Sequence, residues 1–124
     1  MEKKILVIDD EELVSKSLIK LLKNNGYSAA IARSGQEAIE RVKKDNFDLL
    51  VCDVRMPEMD GVETIKQIRD YLEKARKRPV PEVMITGYVD QDKYEKALDL
   101  EVVDYLSKPF DNNEFLRVVR KIIG

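Results

Sequence analysis

Lys4-Ile5-Leu6-Val7-Ile8-Asp9-Asp10 and Asp48-Leu49-Leu50-Val51-Cys52-Asp53 are the two stretches whose reading decides the fold. Each is a short, mostly apolar run that ends abruptly on carboxylates. Apolar runs of this length, without polar alternation, read as strands buried on both faces, the habit of an open parallel sheet. In such sheets ligands gather in the crevice outside the carboxyl ends of the strands. Asp9, Asp10 and Asp53 are therefore expected to converge there, where their mutual repulsion is costly unless a divalent cation neutralises them. A third run is followed by Lys108-Pro109, a step that can bring a cationic side chain to the same edge.

Outward from these runs, strand and helix patterns alternate without a break in composition. Residues 4–9 read as a strand and 11–24 as a helix with Val14, Leu18 and Leu21 on one face, stopped by Asn25-Gly26. Tyr27 to Ala32 is a second, weaker strand. Ser34, with Glu37 three residues on, has the form of a capping box and opens a helix whose Ala38, Ile39 and Val42 face inward. Residues 48–52 are the third strand. After a loop holding Pro57 and Gly61, Ile65, Ile68 and Leu72 repeat at helical spacing. This third helix is expected to run on by roughly one turn, through Lys74 to Arg78, until Pro79 and Pro81 end it.

Val83-Met84-Ile85-Thr86 is a fourth strand broken by Gly87, and residues 90–100 suggest a polar helix with Tyr94, Ala97 and Leu98 inward. Val102 to Ser107 is the fifth strand, and Asp111 caps a last helix carrying Phe115, Val119 and Ile122. Five strand–helix pairs with short connections, and no hairpin signal, require parallel strands and right-handed crossovers. The expected fold is a doubly wound (βα)5 α/β domain over residues 1–124.

Composition narrows the functions open to such a domain. Of 124 residues, 44% are hydrophobic and 37% charged, an ordinary globular balance. A net charge of -2 gives no global field that favours nucleic acid or acidic membranes. The basic cluster Lys74-Ala75-Arg76-Lys77-Arg78 reads as the solvated end of a helix. Cys52 lies inside a strand, which points to a buried thiol and away from a disulfide framework. The absence of His removes the commonest general base and the commonest transition-metal ligand, leaving hard, oxygen-coordinated ions. The N-terminus runs straight into a strand, and no apolar stretch approaches the length of a membrane span. A cytoplasmic location is the expectation, with no direct contact to nucleic acid or membrane.

A carboxylate leaving a buried strand has a rigid base and an exposed tip, which suits Asp53 to act as a nucleophile. Attack on a phosphoryl donor would give an acyl phosphate, and charge compensation is needed at the moment of transfer. Mg²⁺ prefers octahedral oxygen ligation and keeps several waters, so two carboxylates and a backbone carbonyl suffice to hold it. Asp10 and Asp53 supply those carboxylates, and Asp9 is assigned to orienting a metal-bound water. Of the phosphoryl oxygens, one goes to the metal, one pairs with Lys108, and a third accepts from the Thr86 hydroxyl and the Gly87 backbone N–H.

These residues resemble the receiver domain of two-component response regulators, the family of the chemotaxis regulator. The matching text is Ile5-Leu6-Val7-Ile8-Asp9-Asp10-Glu11, Asp53 with Met56-Pro57 and Met59-Asp60-Gly61, Thr86-Gly87, and Asp104-Tyr105-Leu106-Ser107-Lys108-Pro109-Phe110. The resemblance covers essentially the entire chain, with its motifs in order. It implies a flavodoxin-like three-layer sandwich with a parallel sheet in the order 2-1-3-4-5. It implies Asp53 as phosphoacceptor, Asp9 and Asp10 as the acidic pocket, and the Arg55 backbone carbonyl as a metal ligand. Thr86 would be the switch hydroxyl, Tyr105 the rotating switch aromatic and Lys108 the phosphate-binding lysine, followed by a cis Lys108-Pro109 bond. The implied partners are a sensor histidine kinase or phosphotransfer protein, and a downstream protein or output domain docking on the face of the fourth helix, fifth strand and fifth helix. A homodimer is a further expectation. Mg²⁺ is the expected cofactor, with Mn²⁺ as a substitute.

Two positions depart from the family pattern: Glu101-Val102 stands where a small pair usually precedes the fifth strand, and Gly87 follows the switch threonine where Ala is common. Arg55 and Tyr88, two residues past Asp53 and Thr86, are expected to flank the path of attacking water and to set the phosphate lifetime. Taken singly, each acid, the threonine and the lysine has an ordinary role as cap, turn former, strand end or surface charge. Their coincidence at one sheet edge is what points to a site. A phosphohydrolase with an aspartyl-phosphate intermediate is the competing enzyme reading, but its chemistry needs an acid two residues after the nucleophile, where this chain has Arg55. An adaptor that works without phosphorylation is the third reading, since fold does not fix function. The expected protein is thus a signalling module, not an enzyme beyond its own metal-dependent phosphorylation and dephosphorylation.

Overall fold

The five strands pair in parallel into one sheet ordered β2-β1-β3-β4-β5, as expected. They are β1 (Lys4–Ile8), β2 (Ser28–Ala32), β3 (Leu49–Asp53), β4 (Glu82–Thr86) and β5 (Asp104–Ser107). Among the described residues four helices are bounded, α1 (Glu12–Asn24), α2 (Gly35–Lys44), α3 (Gly61–Lys74) and α4 (Asn112–Ile123). The structure, a computed structural model, describes residues 2–87, 95–96 and 98–124. Of the expected inward residues between β4 and β5, Tyr94 and Ala97 lie outside the described residues, and Leu98 is exposed.

Alternation along the strands divides the core. Leu6, Ile8, Leu50, Cys52 and Met84 pack with Ala38, Ile39, Val42, Ile65, Ile68 and Leu72 of α2 and α3. Ile5, Val7, Leu49, Val51, Val83, Ile85 and Leu106 pack on the other face with Leu18, Leu22, Phe115 and Val119 of α1 and α4. Both faces of the central strands are covered, which is why their sequences are continuously apolar. Each Val, Leu, Ile, Met or Phe among them contributes roughly 1.5–3 kcal/mol by leaving water. Register places Ile8 beside Cys52, so Asp9 and Asp53 leave neighbouring strands at the same level.

The expected caps form. Ser34 and Asp111 accept from the backbone N–H groups of Glu37 and Glu114, and Asn25 with Gly26 at φ 89° closes α1. The Glu37 carboxylate accepts from Arg33 N–H, one residue before the cap.

The buried stripe of α1 and the limits of α3 and β5 differ from expectation. The buried stripe of α1 is Ser15, Leu18 and Leu22, with Val14 and Leu21 half-buried on its flanks. The small Ser15 hydroxyl donates to the carbonyls of Asp9 and Glu11, which lets the helix lie close to the strand end. Helix α3 does not extend to Arg78. Arg76 adopts φ 57°, its N–H donates to Glu73 O and that of Lys77 to Leu72 O. This paired reversal satisfies the last carbonyls of the helix before the prolines are reached, and it leaves 75–78 as an exposed turn. Pairing in β5 begins at Asp104 opposite Val83, with Val103 exposed. No helix among the described residues is long and apolar enough to cross a membrane.

Candidate functional site

Asp53 ends β3 and is 4% exposed, although it is the last residue of its strand. Its Oδ1 accepts from the Arg55 N–H at 3.1 Å and its Oδ2 from Lys108 Nζ at 3.1 Å. The carboxylate is thereby held at both oxygens. Burial pushes its pKa up, and the Lys108 ammonium and Arg55 N–H oppose that rise without cancelling it.

Asp9 and Asp10 are neighbours in sequence with opposite surroundings. Asp9 is 1% exposed, and its Oδ1 accepts from the Glu11 N–H at 2.9 Å. Its Oδ2 is buried with no hydrogen-bond partner, alone in this among the buried side-chain polar atoms described. Burial, reinforced by the nearby charge of Asp53, pushes the Asp9 carboxyl up to about 6. Asp10 is exposed. One carboxylate oxygen from each of Asp9, Asp10 and Asp53 lies within 4.8 Å of the others.

Those three oxygens form a hard, anionic donor set that fits Mg²⁺ or Mn²⁺, and the unpartnered Oδ2 belongs to one of the same three carboxylates. The Arg55 backbone is tied to Asp53 by its N–H, while the residue is exposed.

Lys108 is carried by the end of β5, its own N–H donating to Thr86 O at 2.8 Å. The bond to Pro109 is cis. Its Nζ is shared between Asp53 Oδ2 and Glu11 Oε1, at 3.1 and 3.3 Å. Burial alone would lower its pKa, but the negative charges of Asp53, Asp9 and Glu11 outweigh that and raise it. Thr86 ends β4 and is buried, and its hydroxyl donates to the Leu106 carbonyl across a long 3.5 Å. Gly87 is half-buried, and a side chain there would meet no atom of the described residues within 4 Å. Tyr105 is half-buried against the α2–α3 side of the core. Tyr88 lies outside the described residues.

Asp9, Asp10, Asp53 and Lys108 are thus brought together at one sheet edge, with Thr86 on the adjoining strand end. Two residues emerge that sequence reasoning had not assigned to the site. Glu11, in the acidic run, reaches Lys108. Gly61, in the loop after Asp53, donates its N–H to Val54 O at 2.8 Å and draws the start of α3 onto the end of β3. Asp60, just before it, caps α3 by accepting from Glu63 N–H.

Comparison with known proteins identifies the family and the fold. The family described as the response regulator receiver domain matches residues 5–120. The chain is 39% identical over 120 residues to the transcriptional regulatory protein ZraR of Escherichia coli K12, covering 97% of this chain and 26% of ZraR. It is 37% identical over 125 residues to the alkaline phosphatase synthesis regulator PhoP of Bacillus subtilis, covering 99% of this chain and 49% of PhoP. The chain therefore spans about a quarter to a half of the length of these relatives. Among solved structures, the chemotaxis protein CheY4 of Vibrio cholerae superposes with a TM-score of 0.86 at 26% identity, over 98% of this chain and 99% of that one. A putative response regulator from Chloroflexus aurantiacus gives 0.85 at 30% identity, with 98% of each chain covered.

Proposed function

The chain belongs to the response regulator receiver domain family, and on that premise we propose that it is a phosphorylation-activated switch with Asp53 as its phosphoacceptor. The observation that carries this reading is the setting of one carboxylate. Asp53 is buried at a strand end, bonded to an ammonium at 3.1 Å, with oxygens of Asp9 and Asp10 within 4.8 Å.

A sensor histidine kinase or phosphotransfer protein supplies the phosphoryl group. The N–P bond of its phosphohistidine breaks, an Asp53 carboxylate oxygen bonds to phosphorus, and the imidazole leaves with the N–P electron pair. Because each Asp53 oxygen is held by one donor, the carboxylate presents a fixed edge to the incoming phosphorus. Lys108 neutralises that carboxylate before transfer and, with a small shift of its flexible stem, a phosphoryl oxygen after it. Asp10, Asp53 and the Arg55 carbonyl would hold Mg²⁺, or Mn²⁺ in its place, with Asp9 as the buried charge behind them. When bound, the cation offsets the repulsion among the acids and the charge on the transferring group.

Transfer then shifts a population. Thr86, released from its long bond to Leu106, turns to a phosphoryl oxygen, and the Gly87 N–H adds a second donor. Tyr105 moves into the space vacated. The face made by β5 and α4 changes its affinity for a downstream protein, an output domain or a second copy. Arg55, exposed two residues past Asp53, flanks the hydrolytic water and sets how long the phosphate lasts. With Arg55 where a phosphohydrolase would need an acid, the module switches and does not turn over external substrates.

Intact mass after incubation with acetyl phosphate tests the reading, with Mg²⁺ or with EDTA, beside Asp53→Asn. A single labile adduct that needs both the metal and Asp53 is expected. Folded protein that takes no adduct with Mg²⁺ present would leave the adaptor reading standing instead.

A further inference from the structure

Glu11 occupies the N-cap of α1, yet its side chain caps nothing. Ser, Thr, Asp or Asn at such a position would accept a hydrogen bond from the first turn. The Glu11 carboxylate turns instead to Lys108 Nζ, 3.3 Å away and 97 residues distant in sequence. The same ammonium lies 3.1 Å from Asp53 Oδ2, so it is shared between a buried carboxylate and one that is 59% exposed. The Glu11 N–H is meanwhile bonded to Asp9 Oδ1, which pins the backbone of Glu11 against the acidic pocket.

We infer that Glu11 is a positioning residue that restrains Lys108, competing with the incoming phosphoryl group for the ammonium and slowing transfer to Asp53. The inference rests on Asp53 being the phosphoacceptor. A lysine ammonium has three donors and no fixed fork, so its position follows the charges around it. Here those are Asp53, Asp9 and Glu11. To pair with a phosphoryl oxygen, Lys108 must give up a partner, and Glu11 is the one that plays no part in the transfer. It also gives up a capping interaction that a shorter side chain would make.

The test compares rates of phosphorylation by acetyl phosphate with Mg²⁺ for the parent, Glu11→Gln and Glu11→Asp, read by intact mass beside thermal melts. An exposed ion pair of this kind shifts an equilibrium by roughly two- to fivefold, so Glu11→Gln is expected to label faster by about that factor. The ratio to the parent should fall toward one as salt screens the pair. Glu11→Asp keeps the charge but turns to the first turn of α1, so it should label as fast as Glu11→Gln while melting higher. A parent-like or slower rate in Glu11→Gln overturns the inference, as does a ratio indifferent to salt. Parent-like labelling of Glu11→Asp overturns the pairing with Lys108. No adduct on the parent would overturn the phosphoacceptor reading and this inference with it. An adduct on the parent with an unaltered Glu11→Gln would remove this inference alone.

Discussion

The Cα of Gly61 packs directly onto the backbone of Asp53: a methyl group at position 61 would lie 2.2 Å from the Asp53 carbonyl oxygen and 2.9 Å from its carbon. Position 61 therefore admits no side chain while the start of α3 rests on the end of β3. The contact fixes the backbone from which the candidate phosphoacceptor projects.

Gly61→Ala is accordingly expected to cost about 2 kcal/mol or more, since neither backbone can yield without moving its element. Labelling of Asp53 by acetyl phosphate should fall with it. Urea denaturation and intact mass check the two effects. Parent-like values for both would mean the contact constrains nothing.

The pH dependence of the metal-free protein follows from Asp9, whose carboxyl rises from 3.8 to about 6 on folding. Below about pH 4 it is protonated in both states and carries no penalty. As pH climbs through the window between these values, the unfolded chain releases its proton first and the folded state is progressively disfavoured. Above about pH 6 the penalty is complete, on the order of 2–3 kcal/mol, and the raised carboxyl of Asp53 adds in the same direction. Asp9→Asn should therefore stabilise the metal-free protein at pH 7 and lose that advantage by pH 4. Mg²⁺ should stabilise the parent more at pH 7 than at pH 5. Denaturation midpoints across that range decide it.

Thr86→Ala should keep the Mg²⁺-dependent adduct at Asp53 while losing its consequence. The hydroxyl touches Leu106 O at only 3.5 Å, so its removal costs little in the resting state. NMR shifts of Tyr105 and Leu106 on phosphorylation should shrink toward zero in the variant. Shifts as large as the parent's would exclude Thr86 from the switch.

Glu82 is buried at the start of β4, where Arg69 of α3 grips it with Nε at 2.7 Å and a second nitrogen at 2.9 Å. A third donor of the same guanidinium bonds Leu100 O at 2.8 Å. Glu82→Gln leaves that cation without its counter-charge. With Arg69 partly exposed, the cost should be about 2 kcal/mol, below that of a fully buried pair. Asp53 lies opposite Ile85, three residues along β4 from Glu82, so labelling should persist in the folded fraction. Thermal melts beside intact mass separate the two.

Much of this molecule was legible before folding, because the deciding signals are local. Uninterrupted apolar runs at β1, β3 and β4 announce strands covered on both sides, and helical repeats between them dictate parallel pairing. The crevice rule then sends Asp9, Asp10, Asp53 and Lys108 to one edge without any knowledge of contacts. Ser34, Asp111 and the Asn25-Gly26 stop act over three or four residues, and all three stand where local spacing placed them.

Other features were decided only by the assembled chain. Asp9 and Asp10 are chemically identical neighbours, yet one is buried with an orphaned oxygen and the other faces water, a distinction set by α1 crossing above β1. Prolines at 79 and 81 set the latest possible end of α3, but a left-handed Arg76 ends it sooner by satisfying the last carbonyls. Glu11 reads as one more acid in an acidic run until Lys108 arrives from 97 residues away. Gly61 reads as a loop glycine until the Asp53 carbonyl fills the space of its missing side chain. Sequence alone determined the strands, their parallel pairing and the edge where the charged groups meet, because periodicity and capping act within one element. Tertiary structure decided which of those groups are buried, paired or free, because burial and partnership depend on what the rest of the chain brings alongside.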